Sequence, residues 1–370
     1  MTNTIVNLAE PSFTGNEKSY LLDCIESGWI SSQGQYVNRF EEQFSHFIGC
    51  NYAVATSNGT TALHLALMAL GIGPGDEVLV PDLTFGATAN AVIHCGAKPV
   101  LVDVNRQSWC MDAEQIESRI TSQCKAMIVV HLYGRPASMK QLMALAEKYD
   151  LFVVEDCAES IGARFDGQMT GAIGHIGCFS FFANKILSCG EGGMVTTDDP
   201  ALDEKIRLLR DHGMDKEKRY WHLLPGYNYR LTNMQAAVGL AQLEQVDEFL
   251  VKRQQINHFY RSQLADLPEV QLHQPEPDCE ESTWLFSLLV SAEVGARGRE
   301  ILIDCLNEKG IQARRFFYPL HQQPAYQQQA DFTNSVTLSE HGVCLPTYTQ
   351  IKPEQLDYVV ETVRSCMEKI

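Results

Sequence analysis

A single lysine stands within an otherwise apolar stretch of the chain, and its position suggests chemistry. Lys185 lies in "CFSFFANKILSCGEGG" (178–193), between an aromatic run and a glycine cluster. Burial disfavours the charged ammonium group and lowers the pKa of a lysine, which leaves a nucleophilic amine able to form a Schiff base with a carbonyl. The alternative is a lysine whose ammonium group reaches solvent along its aliphatic stem. The apolar and glycine-rich flanks favour a functional lysine.

A group of carboxylates follows directly after another apolar run. Glu155, Asp156 and Glu159 stand in "LFVVEDCAESIG", at the end of a predicted strand. Carboxylates at the end of a buried strand are costly unless a cation pairs with them. A metal ion is one such cation, but the usual histidine and cysteine partners at ligand spacing are absent, so we predict no metal site.

Two further strand ends offer groups that suit a flat, phosphorylated ligand. In "ATSNGTTALHLAL" a helix begins near Thr60 with Gly59 at the turn, and a helix N-terminus attracts phosphate through its free N–H groups. An ordinary helix cap explains the same residues. Phe85, in "VPDLTFGATANAV", belongs either to the core or to the face of a flat ligand.

Together, the four strand ends fit pyridoxal 5′-phosphate (PLP). This cofactor needs a lysine for its aldehyde, a carboxylate for its ring nitrogen, an aromatic ring against its face and a cup for its phosphate. Lys185, Asp156, Phe85 and the helix start at Thr60 supply all four. The sequence therefore predicts PLP as the cofactor.

These groups require a sheet that gathers strand ends at one edge. From about 51 to 199, short β-rich runs alternate with helical patterns, which predicts a mainly parallel α/β sheet with ligands past its carboxyl ends. The apolar periodicity of 233–264 predicts one long helix that links two domains. The Pro- and acid-rich 273–283 reads as an exposed connector to a small α/β unit. We predict a large domain over 1–250 and a small one over 251–370.

Composition restricts the partners of the protein. The chain has 370 residues and a net charge of −17, so a broad basic surface for nucleic acid or anionic lipid is not expected. The N-terminus has no signal-peptide pattern and no window approaches eighteen uninterrupted apolar residues, which predicts a cytoplasmic protein without a membrane segment. The twelve cysteines are scattered, and we expect reduced thiols.

Several ordered motifs carry a family resemblance over nearly the whole chain. They include "SNGTTALHLAL", "VEDCAESIGA", "GCFSFFANKILSCGEGGMV", "GYNYRLTNMQAAVGLAQLE" and "FFYPLH". The sequence resembles the DegT/DnrJ-type (StrS-like) PLP-dependent sugar aminotransferases. The resemblance implies fold type I, the aspartate aminotransferase fold, with a large PLP-binding domain and a smaller C-terminal α/β domain.

The resemblance also implies roles for individual residues. It makes Lys185 the Schiff-base lysine and proton carrier, Asp156 the partner of the pyridine nitrogen and Phe85 the stacking ring. Ser180 joins Gly59 and Thr60 at the phosphate, and Glu159 lies near the phenolic oxygen of PLP. The family places an asparagine from a second subunit at the phosphate, which here is Asn228 and implies a homodimer with shared active sites.

Relatives contact their sugar at positions that carry a further set of residues here, namely Trp29, Arg230, Arg314, Arg315, Tyr318 and His321. Each of these side chains has a structural contact as its alternative role. Some relatives have proline where this chain has Arg315, and a second guanidinium could bind a carboxylate or phosphate or simply be solvated.

The implied activity is transfer of an amino group from L-glutamate to a keto-sugar in surface polysaccharide synthesis. A nucleotide-linked 4-keto-6-deoxy-hexose is the leading acceptor. Alternatives are a keto-sugar acid without a nucleotide, such as an 8-oxo-3-deoxy-octulosonate, and a PLP-binding regulatory protein without turnover. Family dehydratases carry histidine in place of the lysine, so Lys185 argues against that branch.

Overall fold

A seven-stranded sheet forms the centre of the structure, which is a computed structural model describing residues 5–370. The strand order is β1-β9-β8-β5-β4-β2-β3, and only β9 runs antiparallel to its neighbours. These strands are β1 Tyr52–Thr56, β2 Glu77–Pro81, β3 Lys98–Val102, β4 Cys124–Val130, β5 Phe152–Asp156, β8 Ile176–Ser180 and β9 Gly193–Thr197. The carboxyl ends of the six parallel strands therefore lie at one edge.

Helices cover both faces of this sheet. The first nine are α1 Glu17–Ser27, α2 Gln35–Ile48, α3 Gly59–Ala69, α4 Ala87–His94, α5 Ala113–Ile116, α6 Met139–Tyr149, α7 Pro200–Arg210, α8 Asn233–Leu243 and α9 Val246–Leu264. Successive strand residues alternate between the two faces, so Ala53 and Ala55 join one buried apolar cluster while Val54 joins the other. Burial on both faces explains why the strands read as apolar runs.

A second, antiparallel sheet of order β10-β12-β14-β13 forms a smaller unit. Its elements are β10 Val270–Leu272, β12 Phe286–Val290, β13 Arg314–Arg315, β14 Gly342–Leu345, α10 Gly295–Glu308, α11 Thr333–His341 and α12 Pro353–Met367. A third apolar cluster packs this sheet against α9, α10 and α12. The predicted domain boundary at residue 250 falls inside α9 and stays a prediction.

Two interpretations of the sequence were wrong in detail. The predicted helix over 233–264 is two helices, because Gln245 leaves helical dihedral angles (φ −113°, ψ 6°) and its side chain donates to Glu17. The predicted connector over 273–283 is exposed only in part. Its β11 (Cys279–Glu280) pairs with β6 (Arg164–Phe165), which also pairs with β7 (Gln168–Met169), and Glu281 is largely buried beside His273 at 2.6 Å.

The expectation that all cysteines are reduced thiols was also wrong. Cys305 on α10 and Cys366 on α12 form a disulfide, with their Cα atoms 6.2 Å apart. The two residues are 61 positions apart, so no local spacing indicates the pair.

Among residues 5–370, no helix combines the length and hydrophobicity that a bilayer span needs.

Glu155 should be a strong contributor to stability, because its buried carboxylate accepts four hydrogen bonds. Oε2 accepts from His131 Nε2 (3.0 Å) and the N–H of Gly171 (2.9 Å), and Oε1 accepts from the N–H groups of Ile173 (2.8 Å) and Gly174 (2.7 Å). We expect Glu155→Ala to lower the free energy of unfolding by about 3–5 kcal/mol, since buried donors lose their acceptor. Denaturant unfolding would measure this change.

The effect of Glu155→Ala should depend on pH. Burial would raise the pKa of the Glu155 carboxyl, but the hydrogen bond from His131 and the N–H groups of Gly171 and Gly174 hold it below the usual glutamate value. Ionised Glu155 thus stabilises the fold above its unfolded pKa of about 4.3, and that contribution is lost as the pH falls through the folded pKa. The matched control is Glu117→Ala, which removes an exposed pair with Lys148 and should change stability little. Equal effects of the two substitutions at pH 7 would contradict the prediction.

Candidate active site

Lys185 lies in the loop after β8, facing two carboxylates. Its Nζ is 3.5 Å from Glu159 Oε1, and the charge of the buried Asp156, the last residue of β5, also acts on this amine. Burial lowers the pKa of the Lys185 ammonium, although the charges of Glu159 and Asp156 oppose this shift. Burial therefore makes this amine easier to deprotonate than an exposed lysine.

Asp156 is held by two hydrogen bonds at the floor of the site. Thr88 Oγ1 donates to Oδ2 at 2.9 Å, and the N–H of Ala158 donates to Oδ1 at 3.2 Å. Burial raises the pKa of Asp156, while these hydrogen bonds and the charge of Lys185 lower it. Because both oxygens are held by hydrogen bonds, this buried carboxylate is well placed to accept a hydrogen bond from a cationic N–H group.

Glu159 is held by a backbone N–H in addition to its contact with Lys185. Its Oε2 accepts a hydrogen bond of 2.9 Å from the N–H of Tyr133, whose φ of 55° lies in the left-handed region. Burial raises the pKa of Glu159, and the charge of Lys185 and the Tyr133 N–H oppose that shift. A proton on this carboxyl is thus favoured more than on an exposed glutamate.

Trp284 covers the amine from the small sheet's side. Its ring centroid lies 3.7 Å from Lys185 Nζ, and its indole N–H donates to the carbonyl of Asn184 at 2.7 Å. The guanidinium carbon of Arg314 lies 5.0 Å from the same ring. Aromatic contact stabilises a cation at this position and excludes water from it.

Gly59 and Ser180, two residues of the predicted phosphate site, lie next to each other. Gly59 is the first residue of α3, and a Cβ added there would lie 2.8 Å from Cβ of Ser180. Asn58 caps the helix by accepting from the N–H of Thr61 at 2.9 Å. Among residues 5–370, the N–H groups of Gly59 and Thr60 have no acceptor. Two free backbone N–H groups therefore lie near the Ser180 hydroxyl, where they could donate to a phosphate.

An open cleft of about 550 Å³ extends from this region. Arg314 and Arg315, which form β13, line this cleft together with Phe85, which is 62% exposed. Arg315 lies over the ring of Tyr318 at 3.5 Å, and its nearest carboxylate is Glu300 at 3.8 Å. The described lining contains these two cations and no carboxylate, so the cleft suits an anion despite the acidic chain.

Four of the predicted residues lie outside this arrangement. Arg230 pairs with Asp211, and Asn228 is exposed on the same segment. Trp29 is 57% exposed at a second cleft between α1 and α2. His321 hydrogen-bonds to the buried Asp82 instead of lining the cleft.

Sequence reasoning missed Thr88, Tyr133, Trp284 and Asp82. Thr88 lies one turn beyond Phe85 in "TFGATANAV", a weak local signal that a hydroxyl points toward the same edge. The other three act through contacts with residues 26 to 239 positions away, which no local pattern indicates.

A possible metal cluster of His131, Glu155 and Cys157 is explained by hydrogen bonds. Their ligand atoms lie within 4.8 Å of one another, in the buried part of the described chain. However, Nδ1 of His131 accepts from the N–H of Ala137 at 3.0 Å, which leaves Nε2 to donate to Glu155. Both ring nitrogens are thereby used.

The geometry fits PLP. A largely buried lysine amine, a buried carboxylate and a helix N-terminus follow β8, β5 and β1 at one edge of the sheet, and only a residue without a Cβ fits at position 59 beside Ser180. Solved structures with this fold are aminotransferases. One from Psychrobacter cryohalolentis has a TM-score of 0.93 at 30% identity, with 98% of each chain covered. S. venezuelae DesV, solved with a ketimine intermediate, has a TM-score of 0.90 at 34% identity, with 96% of this chain and 95% of that chain covered. The class is therefore a fold type I aminotransferase, as predicted.

The sequence comparisons identify the family. Residues 11–364 match the DegT/DnrJ/EryC1/StrS aminotransferase family, and GDP-perosamine synthase from Escherichia coli O157:H7 is 42% identical over 96% of each chain. The chain belongs to the DegT/DnrJ/EryC1/StrS aminotransferase family. Aminotransferases of this family use PLP. The predictions of family, transaminase activity and cofactor are confirmed, and the alternative of a regulatory protein without turnover gains no support.

Gly59→Ala should weaken PLP binding, because the new Cβ would lie 2.8 Å from the Ser180 Cβ. We expect about 1–3 kcal/mol of strain, which lowers affinity by roughly tenfold or more. Titration of the apoprotein with PLP, followed by absorbance, measures the change. The matched control is Gly73→Ala, since Gly73 has no neighbour within 4 Å and no left-handed φ. Equal affinity in both variants would place the phosphate elsewhere.

Proposed function

We propose that the protein transfers an amino group from L-glutamate to C4 of a nucleotide-linked 4-keto-6-deoxy-hexose, within the cytoplasm. The observation that carries the proposal is 40–42% identity, over at least 96% of this chain, to three relatives that bear the name GDP-perosamine synthase. The cleft lined by Arg314 and Arg315 supports it, because a nucleotide diphosphate brings negative charge. The amino sugar would serve surface polysaccharide synthesis.

Lys185 would bind the PLP aldehyde and then carry the proton between Cα of the amino donor and the cofactor. When bound, PLP supplies the electron sink for the charge that forms at Cα. Asp156 would hold the ring nitrogen in its protonated form, and Thr88 would orient that carboxylate. The buried Glu159 would keep a proton for the phenolic oxygen, in line with its raised pKa.

The remaining cofactor contacts come from two copies of the chain. Gly59, Thr60 and Ser180 would hold the phosphate, and Asn228 of a second copy would complete the cup. The exposure of Asn228 on its own segment supports this division. Leu22, Ile25, Trp29 and Ile30 also support a homodimer, because these four large apolar side chains are exposed close together in the chain and exposed apolar patches mark interaction surfaces.

Phe85 and Tyr318 would flank the cofactor and sugar rings, while the two arginines of β13 bind charge. Among the described residues, Nε and Nη2 of Arg314 have no hydrogen-bond partner, as expected of a guanidinium awaiting a carboxylate or phosphate. Trp29 and Arg230 would contact the sugar only after partner binding or rearrangement, whereas His321, bound to Asp82, would act on the sugar only through the segment that it holds. Arg315 also suits the second candidate, a keto-sugar acid without a nucleotide.

A substrate panel tests the proposal. Purified holoenzyme with L-glutamate is given GDP-4-keto-6-deoxy-mannose, other nucleotide-linked keto-sugars and 8-oxo-3-deoxy-octulosonate, and products are scored by mass. We expect the aminated GDP-sugar and 2-oxoglutarate in equal amounts. Amination of the sugar acid alone would favour the second candidate. If the enzyme consumes glutamate but aminates no sugar in the panel, the proposed acceptor class is wrong.

A further inference from the structure

Asp82 is a fully buried carboxylate to which the proposed function gives no role. It follows β2, and its side chain accepts two hydrogen bonds from one residue: Oδ1 from the N–H of His321 at 2.8 Å and Oδ2 from Nδ1 at 2.7 Å. Its backbone carbonyl accepts from the N–H of Leu320 at 2.8 Å, and its N–H donates to the carbonyl of Val102 at 2.8 Å. One residue thus fastens 320–321 to the large sheet.

The two chain segments that meet at Asp82 each form a wall of the cleft, and the Tyr326 hydroxyl links them a second time by donating to Asn90 Oδ1 at 2.7 Å. The segment after Asp82 carries Phe85 and then Thr88, which positions Asp156. The segment around His321 carries Tyr318 and Tyr326. The separation of these walls decides what fits between them.

His321 is oriented for this contact from more than one side. Its ring stacks on Phe332 with centroids 4.5 Å apart and an angle of 18°, so the imidazole plane is fixed. Because Asp82 Oδ2 can only accept a hydrogen bond here, Nδ1 of His321 is the donor and carries a proton. Without the carboxylate, the N–H and the Nδ1–H of His321 both lose their acceptor, which loosens the segment.

We propose that Asp82 is a positioning residue for the acceptor sugar: through His321 it holds the wall that carries Tyr318 at the distance from Phe85 that the sugar requires. The inference rests on the proposed function, since it concerns the acceptor and not the amino donor. The amino donor is small and reacts beside Lys185, so it depends less on the outer wall. Loss of the Asp82 carboxylate therefore affects the two halves of the reaction unequally.

Asp103 provides a matched control. It follows the neighbouring strand β3, is 2% exposed against 0% for Asp82, and also docks the small unit onto the large sheet. It accepts from the N–H of Asn334 (3.0 Å) and from the N–H and Oγ of Ser335 (2.8 and 2.6 Å), at the start of α11. No residue of α11 lines the cleft in the described chain. Asp103→Asn thus weakens a similar buried contact without touching a cleft wall.

The test compares Asp82→Asn, His321→Gln and Asp103→Asn as holoenzymes. For Asp82→Asn we expect the KM of the keto-sugar to rise about tenfold or more, which corresponds to about 1.4 kcal/mol. The half-reaction with L-glutamate, followed by PLP absorbance, should stay within about twofold of wild type. Hydrogen–deuterium exchange should quicken in 318–326 for Asp82→Asn and around 333–341 for Asp103→Asn. Asp103→Asn should leave the sugar KM unchanged.

His321→Gln should reproduce the KM effect, and it replaces Asp82→Asn in the test if that variant does not fold. The double variant should be no worse than either single one, because both remove the same contact. The inference would be overturned if the sugar KM is unchanged in Asp82→Asn, or in His321→Gln when Asp82→Asn does not fold. It would also be overturned if Asp103→Asn raises the sugar KM equally. If the wild-type enzyme accepts no keto-sugar, the proposed function fails instead. In that case, unchanged hydrogen–deuterium exchange of residues 318–326 in Asp82→Asn would show that Asp82 does not hold this segment.

Discussion

Lys185→Ala should lose transamination by at least about 10²–10⁴-fold, the range typical of a lost general acid–base group, with further loss from the missing covalent attachment. The reason is that Nζ of Lys185 is the amine placed between Asp156, Glu159 and the ring of Trp284. Single-turnover release of 2-oxoglutarate from L-glutamate measures the loss.

Two controls separate chemistry from folding in this variant. Lys148→Ala removes an exposed lysine and should keep the wild-type rate. Borohydride treatment of the wild type should leave a pyridoxyl group on Lys185, and peptide mapping locates it. A pyridoxyl group on another side chain, or turnover of Lys185→Ala near the wild-type rate, would show that the amine has been misassigned.

Asp156→Asn should lower the rate by about 10²–10³-fold while much of the PLP binding persists. An amide keeps the shape of the side chain and can still accept from Thr88, but it cannot stabilise a protonated ring nitrogen as a carboxylate does. Stopped-flow absorbance with L-glutamate measures the half-reaction, and PLP titration measures binding.

Thr88→Val is the companion variant for Asp156→Asn. It removes one hydrogen bond to the carboxylate but keeps its charge, so a smaller loss of rate is expected. A rate for Asp156→Asn equal to wild type would mean that another group holds the ring nitrogen.

The sequence predicted the edge at which the site forms, because parallel strands bring their carboxyl ends together. Asp156 ends β5 and Ser180 ends β8, and these strands are neighbours, so their meeting follows from the predicted sheet. The approach of Gly59 to Ser180 does not follow as simply. It requires the antiparallel β9 between β1 and β8, which depends on the path of the whole chain.

The outer parts of the site could not be predicted for a related reason. Trp284 reaches the Asn184 carbonyl from 100 residues away, and His321 reaches Asp82 across 239. Such contacts are set by how the small sheet docks, whereas hydrophobic periodicity reports only local structure. The disulfide of Cys305 and Cys366 escaped notice for the same reason, since scattered cysteines carry no pairing information.

The indole over the amine has a practical consequence. Trp284 is one of only four tryptophans in the chain, and its ring centroid is 3.7 Å from the nitrogen of Lys185. Its emission should therefore be quenched whenever a chromophore that absorbs near its emission band occupies the site. Intrinsic tryptophan fluorescence should therefore report whether the site is occupied, without any added dye.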